Sequence, residues 1–481
     1  PDVLLINDLV WMSGGKTRNA LDPKTGESVK SIKNTGGYMH ARCYRNKGTE
    51  NFIMMGLMGV QMVDLKNEEV YMNDWVRGTC QFGVMPANGM LYVPPDSCAC
   101  NMKTKLSGIY ALSSSTERPI ARAEDGPVLE KGPAYGKISK IPTKPDDWPT
   151  FRANPARSGT SKTSIPAKLA TAWKNKIGGK LSALTVANGN IYVASVDRYE
   201  IHAIDEISGK TSWTFSAGGR IDSPPTIHDG TVYFGSADGW AYALRQTDGA
   251  LAWRFRGGPN DRRIVVRERL ESVWPVHGNI LVHEGSVVVA AGRSSYLDGG
   301  IHLFRLDPET GKTISATTIF SPDAKGKQPL NGGRDVRGVL NDILLADGSD
   351  VYMRQCKLDF EKGSDAGEGI HLFTPLGFLD DTWWHRAYWV FNNEFKSHWS
   401  GWWRVGNEVP SGRILSYDEE FIFGFGRSAY NGGNTGQWRG GEKYQLFAVN
   451  RKQPTNASQP NQPAQDRREK KPTKKKGKRP K

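Results

Sequence analysis

The sequence predicts an all-β fold, arranged as a β-propeller. The chain of 481 residues contains 54 Gly and 27 Pro, and this composition favours many short strands joined by turns over a helical bundle. Residues 188–215 and 229–255 each read as a turn with Gly, a β-prone run, a second turn and run, and a third turn followed by a run with Trp. Gly189 and Gly230 lie 41 residues apart, which is the length of one four-stranded blade.

Looser copies of this unit lie on both sides. The units before residue 115 cover residues 4–29, 52–65 and 88–112, and those after residue 146 cover residues 188–215, 229–255, 284–312, 347–375 and 411–449. The total predicts eight blades, with seven as the alternative. A β-sandwich also fits alternating strands, but a meander that repeats and closes on Trp favours blades.

The chain divides into four parts on this basis. We expect about three N-terminal blades in residues 1–112 and about five further blades in residues 148–450. Residues 113–147 are rich in Ser, Pro and charge without periodicity, so we interpret them as a linker or inserted loop. Residues 451–481 lack the apolar residues that a core needs, and we expect a disordered basic tail.

Most of the net charge of +14 belongs to that tail. Residues 451–481 contain twelve Lys and Arg and two acidic residues, so the other 450 residues carry only about +4. Because no aromatic residues interleave with the basic ones, the tail predicts contact with an anionic surface or polymer rather than sequence-specific nucleic-acid binding. A solubility tail without a partner is the alternative.

No segment of the sequence predicts membrane insertion. There is no run of 18 apolar residues, so no transmembrane segment is expected, and no signal peptide is visible after Pro1. Because the chain does not begin with Met, we expect a mature product or a piece of a longer chain.

The ends of the repeats resemble a known family. Residues 203–213 read A-I-D-E-I-S-G-K-T-S-W, which resembles the A-x-D-x-x-T-G-x-x-x-W signature of the pyrroloquinoline-quinone (PQQ) repeat family. Residues 243–253 repeat it with Arg245 in the place of Asp, and residues 147–159 resemble the lead-in of bacterial PQQ-like propellers. The resemblance implies a PQQ-like β-propeller in which Trp213 and Trp253 dock against the tight turn of a neighbouring blade.

The resemblance also implies a cellular setting. The chain is similar to the propeller portion of large PQQ-like proteins of planctomycete-type bacteria, so we expect an exported, periplasmic or envelope-associated protein. The resemblance leaves open whether the propeller is part of a larger multidomain protein. The expected function is a non-catalytic binding scaffold with a protein or polysaccharide partner at the propeller face. The alternatives are a quinone- or metal-dependent oxidoreductase and a glycan-binding propeller.

The residues argue against the cofactor of the family's enzymes. Quinohaemoprotein dehydrogenases use a vicinal Cys-Cys disulfide, and the close pair here is Cys98 and Cys100, separated by Ala99. The absence of C-x-x-C-H excludes a c-type haem. Whether the chain binds PQQ therefore stays open, and the sequence does not favour it.

Two groups of residues are candidates for ligand binding. Polar loops between the repeats predict a funnel that binds a ligand. The alternative is that these residues only brace the loops internally. The candidates are Arg263, Glu271, Trp274, Arg293, Asp298, Arg337 and Asn341. A Trp-rich stretch, residues 380–403, suits stacking on sugar rings, although packing is the alternative, and its candidates are Trp384, His385 and Arg386.

Cysteines concentrate in the N-terminal third. Cys43, Cys80, Cys98 and Cys100, with His40 close to Cys43, match no zinc template. Three interpretations stay open: a metal or redox site, a disulfide between Cys43 and Cys80 on adjacent blades, and buried free thiols.

Overall fold

The computed structural model describes thirteen stretches of the chain, which are residues 2–13, 17–33, 45–56, 59–95, 104–114, 126–329, 336–365, 369–374, 376–379, 389–392, 411–412, 414–427 and 444–452. These residues form antiparallel strands, turns and a short 3-10 turn at Val196–Arg198. No helix in the part of the chain that the structure describes is long and apolar enough to cross a membrane.

The N-terminal strands form three consecutive sheets. The first sheet contains β1 (Val3–Ile6), β2 (Leu9–Ser13), β3 (Thr17–Leu21) and β4 (Ser28–Lys33). The second contains β5 (Lys47–Gly48), β6 (Phe52–Gly56), β7 (Val60–Asp64) and β8 (Val70–Asn73). The third contains β9 (Met85–Ala87), β10 (Met90–Val93) and β11 (Tyr110–Leu112). In each sheet, strands that are adjacent in the sequence pair with one another, as in propeller blades.

The central strands follow the same order. After β12 (Val128–Lys131), one sheet contains β13 (Thr185–Ala187), β14 (Asn190–Ser195), β15 (Glu200–Asp205) and β16 (Thr211–Ser216). The next contains β17 (Thr226–His228), β18 (Thr231–Gly235), β19 (Trp240–Arg245) and β20 (Leu251–Arg256). A separate hairpin of β21 (Arg263–Val266) and β22 (Arg269–Ser272) comes before the sheet of β23 (Leu281–His283), β24 (Ser286–Ala291), β25 (Ile301–Leu306) and β26 (Thr313–Ile319).

Three further sheets lie toward the C-terminus. They contain β27 (Leu344–Asp347), β28 (Asp350–Met353), β29 (Cys356–Asp359) and β30 (Ser364–Asp365); then β31 (His371–Phe373), β32 (Trp389–Asn392) and β33 (Ser411–Gly412); and last β34 (Ile414–Tyr417), β35 (Phe421–Arg427) and β36 (Tyr444–Asn450). Within the described ranges this gives nine sheets of three or more strands and one hairpin. The predicted all-β architecture is confirmed, and the number of blades stays a prediction.

The segment that we interpret as a linker contributes to a blade. Strand β12 pairs antiparallel with β20, from Val128 opposite Arg256 to Lys131 opposite Trp253, and forms a fifth, outer strand. Just after it, the side chain of Ala134 is buried in the core. Residues 126–134 are therefore not a free connector, because an outer edge was available to pair with them.

The apolar core lies between neighbouring sheets. Tyr233, Trp253 and Phe255 of one sheet pack with Val287 and Phe304 of the next, and all five are buried. The tight turns between strands have the expected geometry, since Asn188 and Gly189 both have positive φ values, 52° and 82°. That conformation is the type I′ turn that an Asn-Gly pair favours in hairpins.

Tryptophans join two of the central blades to the blade that follows. The indole Nε1 of Trp213 donates to the carbonyl of Gln246 at 3.0 Å, and that of Trp253 donates to the carbonyl of Pro308 at 3.1 Å. Each ring covers a turn glycine, so that a Cβ atom at Gly249 would lie 2.6 Å from the ring of Trp213. Trp253 is buried, whereas Trp213 is only half-buried.

The sequence reasoning missed a third member of this series. The indole of Trp173 donates to the carbonyl of Glu206 at 2.9 Å and covers Gly209 in the same way. Trp173, Trp213 and Trp253 are spaced by 40 residues, so the period of the repeat carried the signal. The residues before Trp173 lack the A-x-D motif, which is why the match to the family signature did not reveal it.

Residues 147–160, called the lead-in segment below, connect several blades at their inner strands. The first strands of the central sheets lie side by side, β13 beside β17 and β23 beside β27. The lead-in segment pairs with four first strands, and its contacts are Trp148 with Val186, Pro149 with Ile227, Pro155 with Ala346 and Ser158 with Tyr417. The ring interior at this level is therefore occupied by protein.

Arg157 is the most deeply buried charge of the lead-in segment. Its guanidinium donates to the Leu344 carbonyl at 2.9 Å, to Thr150 Oγ1 at 2.7 Å and to Asn279 Oδ1 at 2.9 Å. Burial lowers the pKa of Arg157 to about 9, so the side chain stays protonated at neutral pH. A fully hydrogen-bonded cation at this position holds together three separate stretches of chain.

The first residue of the predicted tail packs against the last blade. Arg451 lies in the fold, where its guanidinium pairs with Asp347 at 2.5 Å and lies over the ring of Tyr417 at 4.9 Å. Its backbone N–H donates to the carbonyl of Glu420. The structure therefore places Arg451 with the last blade, where its charge is paired.

This boundary gives a direct test. Deleting residues 453–481 should leave the Tm within about 1 °C of the full chain, because that segment is poor in apolar residues. Deleting residues 451–481 should lower the Tm further, by about 2–4 °C, since it also removes the ion pair and the cation–π contact. Differential scanning calorimetry of the two truncations measures the difference. Equal Tm values would show that Arg451 contributes nothing.

Candidate functional site

The connections between strands define one face of the molecule. In an antiparallel meander, the loop between a second and third strand emerges at the same end as the loop that leads to the next sheet. The loops β14–β15, β16–β17, β20–β23 and β24–β25 therefore share one end, called the loop face below. The N-terminal sheets join it, because Trp75 stacks on Tyr296 of the β24–β25 loop with ring centroids 5.4 Å apart.

A buried charge cluster lies beneath the loop face. Glu271 is only 2% exposed, and its carboxylate lies 2.8 Å from Arg220 Nε and 3.0 Å from an Arg293 nitrogen. Arg293 also contacts Nε2 of His277 at 3.2 Å. The structure thus brings the predicted residues Glu271 and Arg293 together, but as partners of one another.

His277 connects this cluster to a second carboxylate. Its Nδ1 lies 2.5 Å from Asp222, and Arg220 lies 3.3 Å from the same carboxylate. Burial opposes ionisation of Asp222, but the interactions of its carboxylate with His277 and Arg220 prevail and lower the pKa of Asp222 to about 2. Since the Arg293 N–H groups can only donate, Nε2 of His277 accepts and Nδ1–H donates to Asp222.

Asp298 and Trp274 form a separate unit. The Asp298 carboxylate pairs with Arg262, and its backbone carbonyl accepts a hydrogen bond of 2.8 Å from the indole of Trp274. Trp274 is fully buried, so it braces the loop and offers no face to a ligand. Burial raises the pKa of Asp298, although the charge of Arg262 opposes this change.

Asn341 braces the backbone of neighbouring loops. Its side-chain amide donates to the carbonyls of Gly292 at 2.8 Å and Ala290 at 3.1 Å. This geometry agrees with the bracing interpretation.

Two predicted residues lie apart from the cluster. Arg263 is exposed and pairs with Asp261 at 3.3 Å, and Arg337 is exposed on a different loop. The structure therefore places Arg263 and Arg337 away from the cluster that contains Glu271 and Arg293. Side chains alternate between the two faces along β21, and this explains the exposure of Arg263. It lies on the face of the hairpin opposite to Glu271 and Ile264.

The hairpin β21–β22 has two unlike faces. Ile264 packs on the core and Glu271, directly opposite it, enters the charge cluster, so this face anchors the hairpin. On the other face Val265 lies opposite Leu270, and these side chains are 72% and 62% exposed. The hairpin therefore presents a cross-strand apolar pair to solvent.

Further apolar side chains lie on loops of the same face. Large apolar residues are exposed in the β8–β9 loop, in the β10–β11 loop and before β13; they are Phe82, Ile109, Leu181 and Leu184. Arg267 at the hairpin tip forms no ion pair with any residue that the structure describes. The loop face thus combines exposed apolar groups with positive charge.

Other predicted residues lie outside the described part of the chain; these are His40, Cys43, Cys98, Cys100, Trp384, His385 and Arg386. Cys80 is described, and it is a free, exposed thiol, so this structure contains no disulfide between Cys80 and Cys43. Across the described ranges, no group of three or more His, Cys, Asp and Glu side chains is arranged to hold a metal ion.

Sequence reasoning missed three members of the charge cluster, Arg220, Asp222 and His277. Arg220 and Asp222 lie in one connection and His277 lies in the next, about 50 residues further along the chain. Their position in the repeat could have revealed them, because each lies between the last strand of one repeat and the first strand of the next.

Comparison with known proteins identifies the repeats. Residues 166–355 match the family model described as "Outer membrane protein assembly factor BamB". The chain is similar to the outer membrane protein assembly factor BamB of Burkholderia pseudomallei (strain K96243), with 26% identity over 259 residues, covering 51% of this chain and 61% of that protein. It is 30% identical to BamB of Moranella endobia (strain PCIT) over 80 residues, which cover 17% of this chain and 20% of that protein.

These matches span less than two thirds of the relatives' own length. Among solved structures, the chain is similar to BamB from Moraxella catarrhalis, with 14% identity, a TM-score of 0.31, and coverage of 81% of this chain and 95% of that chain. It is also similar to the quinohemoprotein alcohol dehydrogenase from Comamonas testosteroni, with 22% identity, a TM-score of 0.31, and coverage of 37% and 28%. The match of residues 166–355 confirms the predicted PQQ-like repeat propeller.

Proposed function

We propose that this PQQ-like repeat propeller is a non-catalytic scaffold of the cell envelope that binds a protein partner through its loop face. One observation carries the proposal: the apolar side chains of this face are exposed, whereas most charges beneath it are already paired. Exposed apolar groups beside charged ones are typical of protein-binding surfaces. The Val265–Leu270 pair on the anchored hairpin is the centre of the proposed surface.

The paired charges argue for a scaffold over a small-molecule site. Arg220 and Arg293 both contact Glu271, and Asp298 pairs with Arg262. A tricarboxylate ligand such as PQQ would have to compete with these carboxylates for the two arginines of the cluster. The cluster instead holds the hairpin in a fixed position, which lowers the entropic cost of binding a partner.

The relatives support the envelope setting. The matched proteins are described as outer membrane protein assembly factors, and we infer from this an exported, periplasmic or envelope-associated protein with a protein partner. The tail from residue 453 would add contact with an anionic surface or polymer through its charge. A polysaccharide partner at residues 380–403 and a larger multidomain protein around this propeller stay predictions.

Site-specific photo-crosslinking tests the loop face. A photoreactive residue at position 270 should crosslink one discrete protein of the envelope fraction. The matched control is position 207, because Ile207 is 83% exposed and lies in the β15–β16 turn on the opposite face. Val265→Ser in the position-270 probe should reduce the crosslink at least fivefold. Equal crosslinking from both positions would contradict the proposal.

A second test concerns catalysis. The full chain supplied with PQQ and Ca²⁺ should not oxidise alcohols or aldoses, because the sequence lacks the vicinal Cys pair of the family's enzymes and the Asp298 carboxylate is held by Arg262. A dye-linked assay over a panel of both substrate classes measures this, with a PQQ titration to report binding. Calcium-dependent turnover that Asp298→Asn abolishes would establish an oxidoreductase instead.

A further inference from the structure

The last sheet has a vacant outer position within the described part of the chain. It contains three strands, in the order β34, β35, β36, whereas the sheets β1–β4, β5–β8, β13–β16 and β23–β26 contain four. Strand β34 is the inner one, because Tyr417 N–H donates to the Ser158 carbonyl of the lead-in segment at 3.0 Å. Strand β36 is therefore the edge, and the vacant position lies outside it.

The edge strand has features that favour pairing. Strand β36 reads Y-Q-L-F-A-V-N, seven residues without a charge, Pro or Gly, and it pairs with β35 along its whole length. Edge strands normally carry a charge, a Pro or a bulge that prevents pairing with other chains. An uncharged, regular edge of this length is therefore an exposed template for another strand.

The register shows which groups are available. Arg451 N–H donates to the Glu420 carbonyl, so the backbone groups of odd-numbered residues in this strand face β35. The N–H and C=O groups of Leu446, Ala448 and Asn450 then point outward, and their side chains are exposed. Leu446 is 82% exposed, which places an apolar side chain beside this row of donors and acceptors.

The same molecule shows that a blade accepts an added strand. Strand β12, more than 120 residues away in the sequence, pairs with the outer edge of β20 over four residues. The residues that follow β36 are unsuited to do the same for their own blade, because residues 453–481 contain ten Lys and Arg and several Pro. The outward N–H and C=O groups of β36 are therefore available to a strand of another polypeptide.

We propose that the β36 edge binds an extended segment of a partner protein, with apolar residues opposite Leu446 and Ala448 and acidic residues at the end nearest Arg451. The strand provides the main-chain hydrogen bonds, and the exposed Lys452 beyond its end favours a neighbouring carboxylate cluster. This surface is separate from the loop face, so a partner at either one does not depend on the other.

A peptide-binding experiment on the full chain tests this proposal. The probe is a fluorescent ten-residue peptide of alternating Val and Thr with two Asp at one end, and binding is measured by anisotropy. Ala448→Pro removes an outward N–H without removing a bond to β35, and it should weaken binding at least tenfold. Leu446→Lys should have a similar effect, whereas Ala448→Thr keeps the N–H and should bind within twofold of the unmodified chain.

Hydrogen exchange locates the bound peptide. The amides of Leu446, Ala448 and Asn450 should exchange at least tenfold more slowly in the complex, while those of the β21–β22 hairpin should not change. The proposal would be overturned if the hairpin were protected instead. It would also be overturned if the peptide bound the Ala448→Pro and Leu446→Lys variants as tightly as the unmodified chain. Binding that depends only on residues 453–481, or protection through self-association of the free chain, would overturn it as well.

Discussion

Replacing Arg157 by Met should lower the free energy of unfolding by about 3–5 kcal/mol. The Met side chain fills much of the same volume but leaves the Leu344 carbonyl, Thr150 Oγ1 and Asn279 Oδ1 without their shared donor. These acceptors are buried, so water cannot replace the guanidinium at no cost. Urea unfolding followed by Trp fluorescence measures the change through the midpoint concentration.

The control for this variant is Arg198→Met. Arg198 also pairs with a polar partner, Glu200 at 2.9 Å, but its side chain is 55% exposed. Its replacement should cost less than about 0.5 kcal/mol, because exposed ion pairs contribute little. A loss below 1 kcal/mol for Arg157→Met would show that the lead-in segment does not hold the ring together.

Truncating Trp253 to Ala should cost about 3–5 kcal/mol, whereas Trp213→Ala should cost about half of that. The two residues occupy equivalent repeat positions and make equivalent indole hydrogen bonds, but only Trp253 is fully buried. The comparison therefore separates the effect of burial on stability from the effect of the repeat position. Thermal unfolding of both variants, with Trp253→Phe to separate loss of the N–H from loss of the ring, provides the measurement. Equal losses would mean that exposure does not determine the contribution of the docking Trp.

The turns and the docking tryptophans of this fold could be predicted from the sequence. Asn188-Gly189 predicts its turn because only a few residue types tolerate two successive positive φ values, and the Trp-ended motif predicts docking because its spacing repeats. Strand β12 was not predictable, because four residues without periodicity become a strand only when an edge such as β20 is available.

The candidate site was predictable only in part. Loop charges suggested that Glu271 and Arg293 lie together, and they do. The further contact of Glu271 with Arg220 depends on a residue from a different connection, and no spacing along the chain reveals such a pair. The same holds for Arg451. In the sequence it is the first residue of a basic run and is expected to be solvated, and only the fold brings Asp347 beside it.

The lead-in segment has a consequence for the order of folding. Thr160 contacts the carbonyl of Tyr417, 257 residues later, and Arg152 contacts that of Leu415, 263 residues later. Contacts of such high sequence separation form slowly, because a long loop must close before they stabilise the chain. During synthesis from the N-terminus, the lead-in segment emerges before all of its blade partners and must wait for the last of them. Until then its polar groups and the apolar inner strands stay open to solvent, so the nascent chain needs protection from aggregation over most of its synthesis.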